Sequence, residues 1–111
     1  MKNEMTHGTA VIVKNFEIET DKTNFSDAEL FDILSQQISD MLERKPEYLF
    51  SLMYRMDVLE VKIKAALHPM AIDLPHIGLT KLVLERQRER NRTREMYRQE
   101  AIEDLEEGLE Y

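Results

Sequence analysis

The stretch from Phe25 to Leu67 constrains the fold more than any other part of this chain, since it carries the densest apolar pattern. Its apolar residues recur at intervals of three and four, the spacing that places side chains on one face of an α-helix. Proline cannot continue a helix through its interior, so Pro46 and Pro69 mark boundaries between helices. The pattern predicts consecutive amphipathic helices and therefore an all-α fold.

The sequence predicts a compact bundle of three to four helices. Ser26 and Glu29 form the pattern of a capping box, in which each side chain satisfies a free backbone N–H of the first helical turn. Phe25 and Leu30 occupy the flanking positions of a hydrophobic staple around that cap. Pro46 suits the first turn of the second helix, where its missing N–H costs no hydrogen bond. The predicted helices span about residues 27–44, 47–56, 58–67 and 74–98.

The join between the second and third helices has two interpretations. Asp57 and Glu60 repeat the capping-box pattern, which favours a break near Asp57. The apolar positions on either side nevertheless stay in helical phase, which leaves one continuous helix as the alternative. These in-phase residues are Leu52, Met56, Leu59, Ile63 and Leu67.

The last predicted helix follows a short connector after Pro69, with Asp73 as its expected N-cap. Gly78 inside this helix costs about 1 kcal/mol relative to alanine, which indicates a close crossing with another helix. The apolar pattern predicts that the helix buries Leu74, Ile77, Leu79, Leu82 and Val83.

The two ends of the chain differ in composition from the helical stretch. Residues 1–24 are largely polar, with a short run of Val and Ile, so we expect an N-terminal arm that is flexible, loosely docked or strand-like. Residues 25–98 form the predicted helical domain, with an extended charged last helix. Residues 99–111 carry six acids and no base, and they form a predicted acidic tail. A chain of 111 residues has the length of one domain.

The sequence contains no recognisable arrangement of catalytic residues. It has no cysteine, no Gly-rich phosphate loop and no G-x-S-x-G nucleophile motif. His7, His68 and His76 lack the three- or four-residue spacing of metal ligands on one helix face. We therefore expect no enzymatic activity, no catalytic residue, no bound metal and no cofactor.

The sequence also lacks the features of a membrane or exported protein. No apolar stretch approaches the length of about 18 residues that is typical of a transmembrane helix. The first residues lack the apolar region and the small-residue cleavage site of a signal peptide. We expect a cytoplasmic protein without a membrane partner.

An arginine-rich run precedes the acidic tail. Residues 81–98 carry seven basic and three acidic side chains, a net charge of +4, in a chain of net charge −7. Clustered arginines can neutralise phosphates, which makes nucleic-acid binding the alternative function. The interleaved glutamates, and the lack of an aromatic residue between Arg86 and Arg94, favour a solvated, salt-bridged helix face. A third interpretation pairs the arginines with the acidic tail, within one chain or between two. The candidate polyanion contacts are Arg86, Arg88, Arg90, Arg92 and Arg94.

The apolar surface exceeds what so short a helical domain buries easily by itself. The first helix has an apolar face of about 180°, wider than one neighbouring helix covers. Phe50 and Tyr54 form a second apolar stripe on the next helix, and we expect Val61 to join them whether or not the helix breaks at Asp57. We expect a homodimer that acts as a non-catalytic protein–protein interaction module, with these three residues in its contacts and the arm of residues 85–105 as a further candidate contact. A further protein is the second expected partner.

Two segments, LFSLMYRMDVLEVKIKAAL and LTKLVLERQRERNRTR, resemble a small family of uncharacterised bacterial helical proteins of about this length. The resemblance covers about residues 26–94 and contains no motif specific for a reaction. It implies an all-helical fold and a bacterial origin. The N-terminal arm and the acidic tail lie outside it.

Overall fold

The computed structural model describes residues 7–22 and 24–109 of the chain. Within these ranges the structure contains helices and no strand, which confirms the predicted all-α class. The expected three to four helices are too few, because a further helix precedes them. The five helices are α1 (His7–Asn15), α2 (Asp27–Arg44), α3 (Pro46–Arg55), α4 (Glu60–Leu67) and α5 (Pro75–Leu109).

The N-terminal segment forms helix α1, which corrects the expectation of a flexible or strand-like arm for residues 7–15. Its β-branched residues lower the helix propensity, and a helix of nine residues is marginal in water by itself. Packing outweighs both effects, because Ile12 and Phe16 lie four residues apart on one face and are buried in the core. The part of the prediction that concerns residues 1–6 falls outside the described residues.

Helix α1 ends in a Schellman motif, a left-handed helix terminus. The Ile18 N–H donates to the Val13 carbonyl over 3.0 Å, and the Glu17 N–H donates to the Lys14 carbonyl over 3.2 Å. Glu17 has the left-handed backbone conformation, with φ 54°, that glycine usually adopts at this position. The motif turns the chain so that the Ile18 side chain is buried in the core.

Helix α2 begins at the predicted capping box. Ser26 Oγ accepts from the Glu29 N–H over 3.1 Å, and Glu29 Oε1 accepts from the Ser26 N–H over 2.8 Å. The helix ends at Arg44, and Pro46 is the first residue of α3, which confirms the predicted boundary.

The wide apolar face of α2 is covered within the chain. This helix packs against α3 and α5, and Gln37 Nε2 donates to the Phe16 carbonyl over 2.9 Å, which joins α2 to the end of α1. The buried residues of α2 are Leu30, Leu34, Ser35, Ile38 and Met41. This face serves the core of a single chain, so it no longer argues for a contact between two copies.

A break separates α3 from α4, as favoured by the sequence, but a different motif forms it. Helix α3 ends in a second Schellman motif, in which the Val58 N–H donates to the Met53 carbonyl and the Asp57 N–H donates to the Tyr54 carbonyl. Asp57 is its left-handed residue, with φ 67°. The N-cap of α4 is Leu59, which makes no side-chain capping bond. The predicted capping box at Asp57 is therefore wrong, because Asp57 ends one helix and does not begin the next.

Helices α4 and α5 cross closely at Gly78, as its position in the sequence predicts. A Cβ built on Gly78 would lie only 3.2 Å from the Ala66 Cβ, so there is little room for a side chain at the crossing. The predicted burial of Leu74 is wrong, since this residue precedes α5 and its side chain is exposed. Asp73 lies one residue earlier and pairs with Lys81 over 2.8 Å.

Helix α5 is the scaffold of the fold. Its first half packs against α1, α2 and α4, and it continues to Leu109, past the predicted end at residue 98. At 1.5 Å per residue its length is about 52 Å, which accounts for most of the 60 Å longest dimension of the molecule. Every side chain from Arg92 to Gln99 is exposed. Residues 92–109 are named the distal part of α5 below.

Candidate interaction surfaces

Among the described side chains, eight large apolar ones are exposed, and they fall in two parts of the chain. Single exposed apolar groups are common on protein surfaces, but their concentration in two segments indicates contact surfaces. The first group, between the end of α3 and the start of α5, consists of Tyr54, Leu59, Val61, Met70, Ile72 and Leu74. The second group lies on the distal part of α5 and consists of Met96 and Tyr97.

Two of the three predicted interaction residues, Phe50 and Tyr54, lie together on α3. They line a wide, shallow depression of about 530 Å³ with Glu47, Ser51 and Arg55. Phe50 is partly buried and packs against the core, whereas Tyr54 is 47% exposed. Only part of this apolar stripe is therefore available to another molecule.

Val61, the third predicted interaction residue, lies on α4 and is 70% exposed. It is not part of the lining of the depression on α3. The sequence predicts that Val61 shares a face with Tyr54 whether or not the helix breaks, and the left-handed turn at Asp57 interrupts the helical phase between the two residues. Its exposure agrees with a role in binding, which stays a prediction.

The connector between α4 and α5 carries the most exposed apolar side chains of the described structure. Met70 is 82% exposed, and Ile72 is exposed completely. The His68 Nδ1 atom accepts from the Met70 N–H over 3.0 Å and so holds the turn that presents these side chains. The sequence analysis did not predict this surface. A signal was present, because the short apolar segment between Pro69 and the next helix forms no helix face that could pack against the core.

The distal part of α5 exposes Met96 and Tyr97, at 58% and 67%. Because all side chains from Arg92 to Gln99 are exposed, no face of this section is covered by the rest of the described molecule. An ion pair from Arg98 to Glu95 over 3.6 Å lies along it. Such an i,i+3 pair contributes only a few tenths of a kcal/mol, which is weak support for a helix that no described residue covers.

Arg86, the first candidate polyanion residue, is part of the fold. Its Nε donates over 2.9 Å to the carbonyl of Met56, the C-cap residue of α3. Its guanidinium nitrogens also lie 3.3 Å from a Glu89 carboxylate oxygen and 3.8 Å from one of Asp57. This side chain connects α5 to the turn after α3, which argues against a role in binding phosphates.

The other candidate polyanion residues lie on the surface of α5. Arg88, Arg90 and Arg92 are exposed and make no hydrogen bond or ion pair within the described ranges. Arg94 is exposed as well. Positions two apart on a helix differ by about 200°, so these arginines lie on two sides of the helix and not in one stripe.

A small cavity of about 130 Å³ lies between α1, α2 and α5. Gln87 lines it and donates from Nε2 to Asn91 Oδ1 over 3.0 Å, while its buried Oε1 has no partner among the described residues. Asn91 in turn packs directly against Gly8, where a Cβ would collide with the Asn91 amide. The cavity has room for a few water molecules.

The strongest pKa shifts belong to acids that stabilise local structure at the surface. Hydrogen bonds from the Lys22 ammonium and the Ser26 backbone lower the pKa of Glu29 to about 2. The hydroxyl of Tyr48, which donates to Glu17 Oε2 over 2.8 Å, lowers the pKa of Glu17.

In the described ranges no group of three or more His, Asp or Glu side chains is arranged to hold a metal ion.

Comparison with known proteins identifies no relative of this chain. Protein-family models, curated proteins and solved structures contain no match to it. In the part of the chain that the structure describes, every helix is too short or too polar to cross a lipid bilayer. The two exposed apolar groups and the surface arginines are therefore the features from which a function can be argued.

Proposed function

We propose that the protein is a non-catalytic helical interaction module that acts as a homodimer. The observation that carries the proposal is the distal part of α5, a helix about 27 Å long. Its described side chains are exposed on every face. Among the described residues, none covers this arm, so the arm is suited to a neighbour on another chain.

The distal part of α5 gains little stability as a helix by itself. Most helical stability in proteins comes from packing of an apolar face, and short isolated helices are marginal in water. Burying a large apolar side chain fully contributes roughly 1.5–3 kcal/mol, and Met96 and Tyr97 are available for such burial. A second copy supplies the same arm, and symmetric dimers are the commonest oligomers.

The first exposed apolar group gives this dimer a surface for a different protein. Met70, Ile72 and Leu74 lie on the connector, and Leu59 and Val61 lie at the start of α4. Dimer formation through the distal part of α5 leaves these elements uncovered. The module would thus join two copies of one partner, which is the role of an adaptor.

The mass in solution, measured by light scattering on a sizing column, tests the proposal. We expect a mass near twice 13.2 kDa. Tyr97→Glu should produce a monomer with unchanged circular dichroism from the body, because it places a charge in the proposed interface. Gln99→Glu is the matched control, since it adds the same charge about 200° away around the helix and should leave a dimer.

Tyr54→Glu tests the alternative interface on α3, with Ala28→Glu on the exposed first turn of α2 as its control. We expect both variants to remain dimers. If Tyr54→Glu alone yields a monomer, the dimer forms through α3, as the sequence pattern predicted. A wild-type monomer at all accessible concentrations would contradict the proposed homodimer.

A second candidate function is nucleic-acid binding, which is favoured by Arg88, Arg90 and Arg92, three exposed arginines without a partner among the described residues. Such binding releases counterions and weakens as salt increases. Fluorescence anisotropy with labelled DNA and RNA at low salt should then show binding that falls when these arginines are replaced by glutamine. Arg86→Gln is unsuitable as a test, because this residue supports the fold. The absence of binding at low salt would remove this candidate.

A further inference from the structure

The continuous course of α5 keeps its acidic segment, residues 99–109, away from the arginines of the same helix. Helix α5 runs without interruption to Leu109, so residues 99–109 lead away from the arginines and do not fold back on them. The middle of the run Arg86–Arg94 and the middle of the acidic segment lie about 22 Å apart along the axis. Along one helix face only residues three or four apart meet, and Arg94 and Glu100 are six apart. In the described course of α5, the acidic segment therefore does not lie along Arg88, Arg90 and Arg92 of the same chain.

The charges of α5 are complementary only in one arrangement of two helices. Residues 81–98 carry a net charge of +4, and residues 99–111 carry −6. A parallel pair would place each segment against its own copy, which sets like charges side by side. An antiparallel pair places the acidic segment of one chain along the arginine run of the other, at both ends of the contact.

We propose that the partner of the distal part of α5 is the same helix of a second copy, in antiparallel orientation, with its two-fold axis near Tyr97. This inference rests on the proposed homodimer and specifies its geometry. Superposing the arginine run on the acidic segment puts the axis midway between them, and Met96 and Tyr97 lie there. Two independent observations, the charge pattern and the exposed apolar side chains, therefore give the same centre.

The two kinds of contact have different roles in such a pair. The apolar side chains at the axis lose contact with water and supply most of the affinity. Exposed ion pairs contribute little each and are screened by salt, but they select one orientation over the other. The dimer should accordingly weaken at high salt without dissociating fully at high protein concentration.

Cross-linking of cysteine variants tests the orientation, and the chain has no native cysteine to interfere. Positions 90, 97 and 104 are seven residues apart and so lie on one helix face, and 90 and 104 are equally far from the proposed axis. With a short bismaleimide, Tyr97→Cys should cross-link to itself. Arg90→Cys and Asp104→Cys should each stay uncross-linked alone, and a mixture of the two should give a cross-linked heterodimer.

Each outcome separates this inference from the proposed function. If Arg90→Cys and Asp104→Cys each cross-link to themselves and not to one another, the pair is parallel and the inference is overturned. If the mass shows a dimer but none of the variants cross-links, the interface lies elsewhere, and the homodimer survives without this geometry. A monomeric mass would remove both.

Charge reversal provides a second test with its own control. Replacing Arg88, Arg90 and Arg92 by glutamate should raise the dimer dissociation constant at least about tenfold at low salt, because the arginine run then carries net negative charge beside the acidic segment. Replacing Glu103, Asp104 and Glu107 by lysine should do the same. A mixture of the two variants should form a heterodimer as tight as the wild type, since both contacts are then complementary. Equal affinity of all pairs would overturn the inference.

Discussion

Replacing Phe16 with alanine measures how far the N-terminal segment belongs to the core. The Phe16 side chain is fully buried, and its carbonyl accepts from Gln37 of α2 over 2.9 Å. Fully buried Phe→Ala substitutions cost about 3–5 kcal/mol, from lost transfer energy and the cavity that remains. Domains have total stabilities of about 5–15 kcal/mol, so this change should remove a large share of the stability.

Urea unfolding followed by far-UV circular dichroism gives the free energy of unfolding for this test. In thermal unfolding, the midpoint temperature of Phe16→Ala should fall by roughly 10–25 °C. Phe16→Leu should lose less than about 1.5 kcal/mol, since it keeps most of the volume. Phe31→Ala, at a partly buried position of α2, is the matched control and should cost less than Phe16→Ala. A loss below about 1 kcal/mol for Phe16→Ala would refute the reasoning and would support the loosely docked arm predicted from the sequence.

Three further substitutions test local features of the structure. Asp57→Gly should stabilise the protein by up to about 1 kcal/mol in urea unfolding, because glycine adopts the left-handed conformation without the steric cost that other residues meet. Asp57→Ala should give no such stabilisation. Arg86→Met should lower the free energy of unfolding by about 1–3 kcal/mol, since the Met56 carbonyl loses its hydrogen-bond donor. Arg90→Met, at an exposed position, is the control and should change it by less than about 0.5 kcal/mol. Hydrogen bonds lower the pKa of Glu29 from its ordinary value of about 4.5 to about 2 in the folded chain, so its contribution to stability is present above about pH 4.5 and is lost as the pH falls toward about 2. Glu29→Gln should therefore flatten the pH dependence of unfolding between about pH 5 and pH 2, and an unchanged slope would contradict the assigned hydrogen bonds.

The features that the sequence predicted well depend on residues close to one another along the chain. The capping box of Ser26 and Glu29 forms as expected, and Pro46 begins α3. Gly78 marks a close crossing because its lack of a side chain has meaning only where another element approaches. The capping box and the proline each act within one or two helical turns, so no knowledge of the tertiary structure was needed to identify them. The helix that crosses at Gly78 was identified only in the structure.

The candidate surfaces could be predicted only in part. Tyr54 is exposed as the second apolar stripe of α3 implies, but Phe50 on the same stripe packs against the core. Helical periodicity shows which residues share a face and does not show whether another helix covers that face. For the same reason the arginines of α5 formed one set in the sequence, although Arg86 is held by the turn after α3.

The sequence by itself determined the helical class and the start of α2, because periodicity and capping are properties of neighbouring residues. Only the tertiary structure decided that residues 7–15 are helical, since burial of Ile12 and Phe16 against residues far along the chain outweighs a weak local propensity. The tertiary structure also decided the left-handed turns at Glu17 and Asp57. Neither residue is glycine, so no local signal marks these turns, and burial of the apolar residue that follows each one offsets the backbone cost.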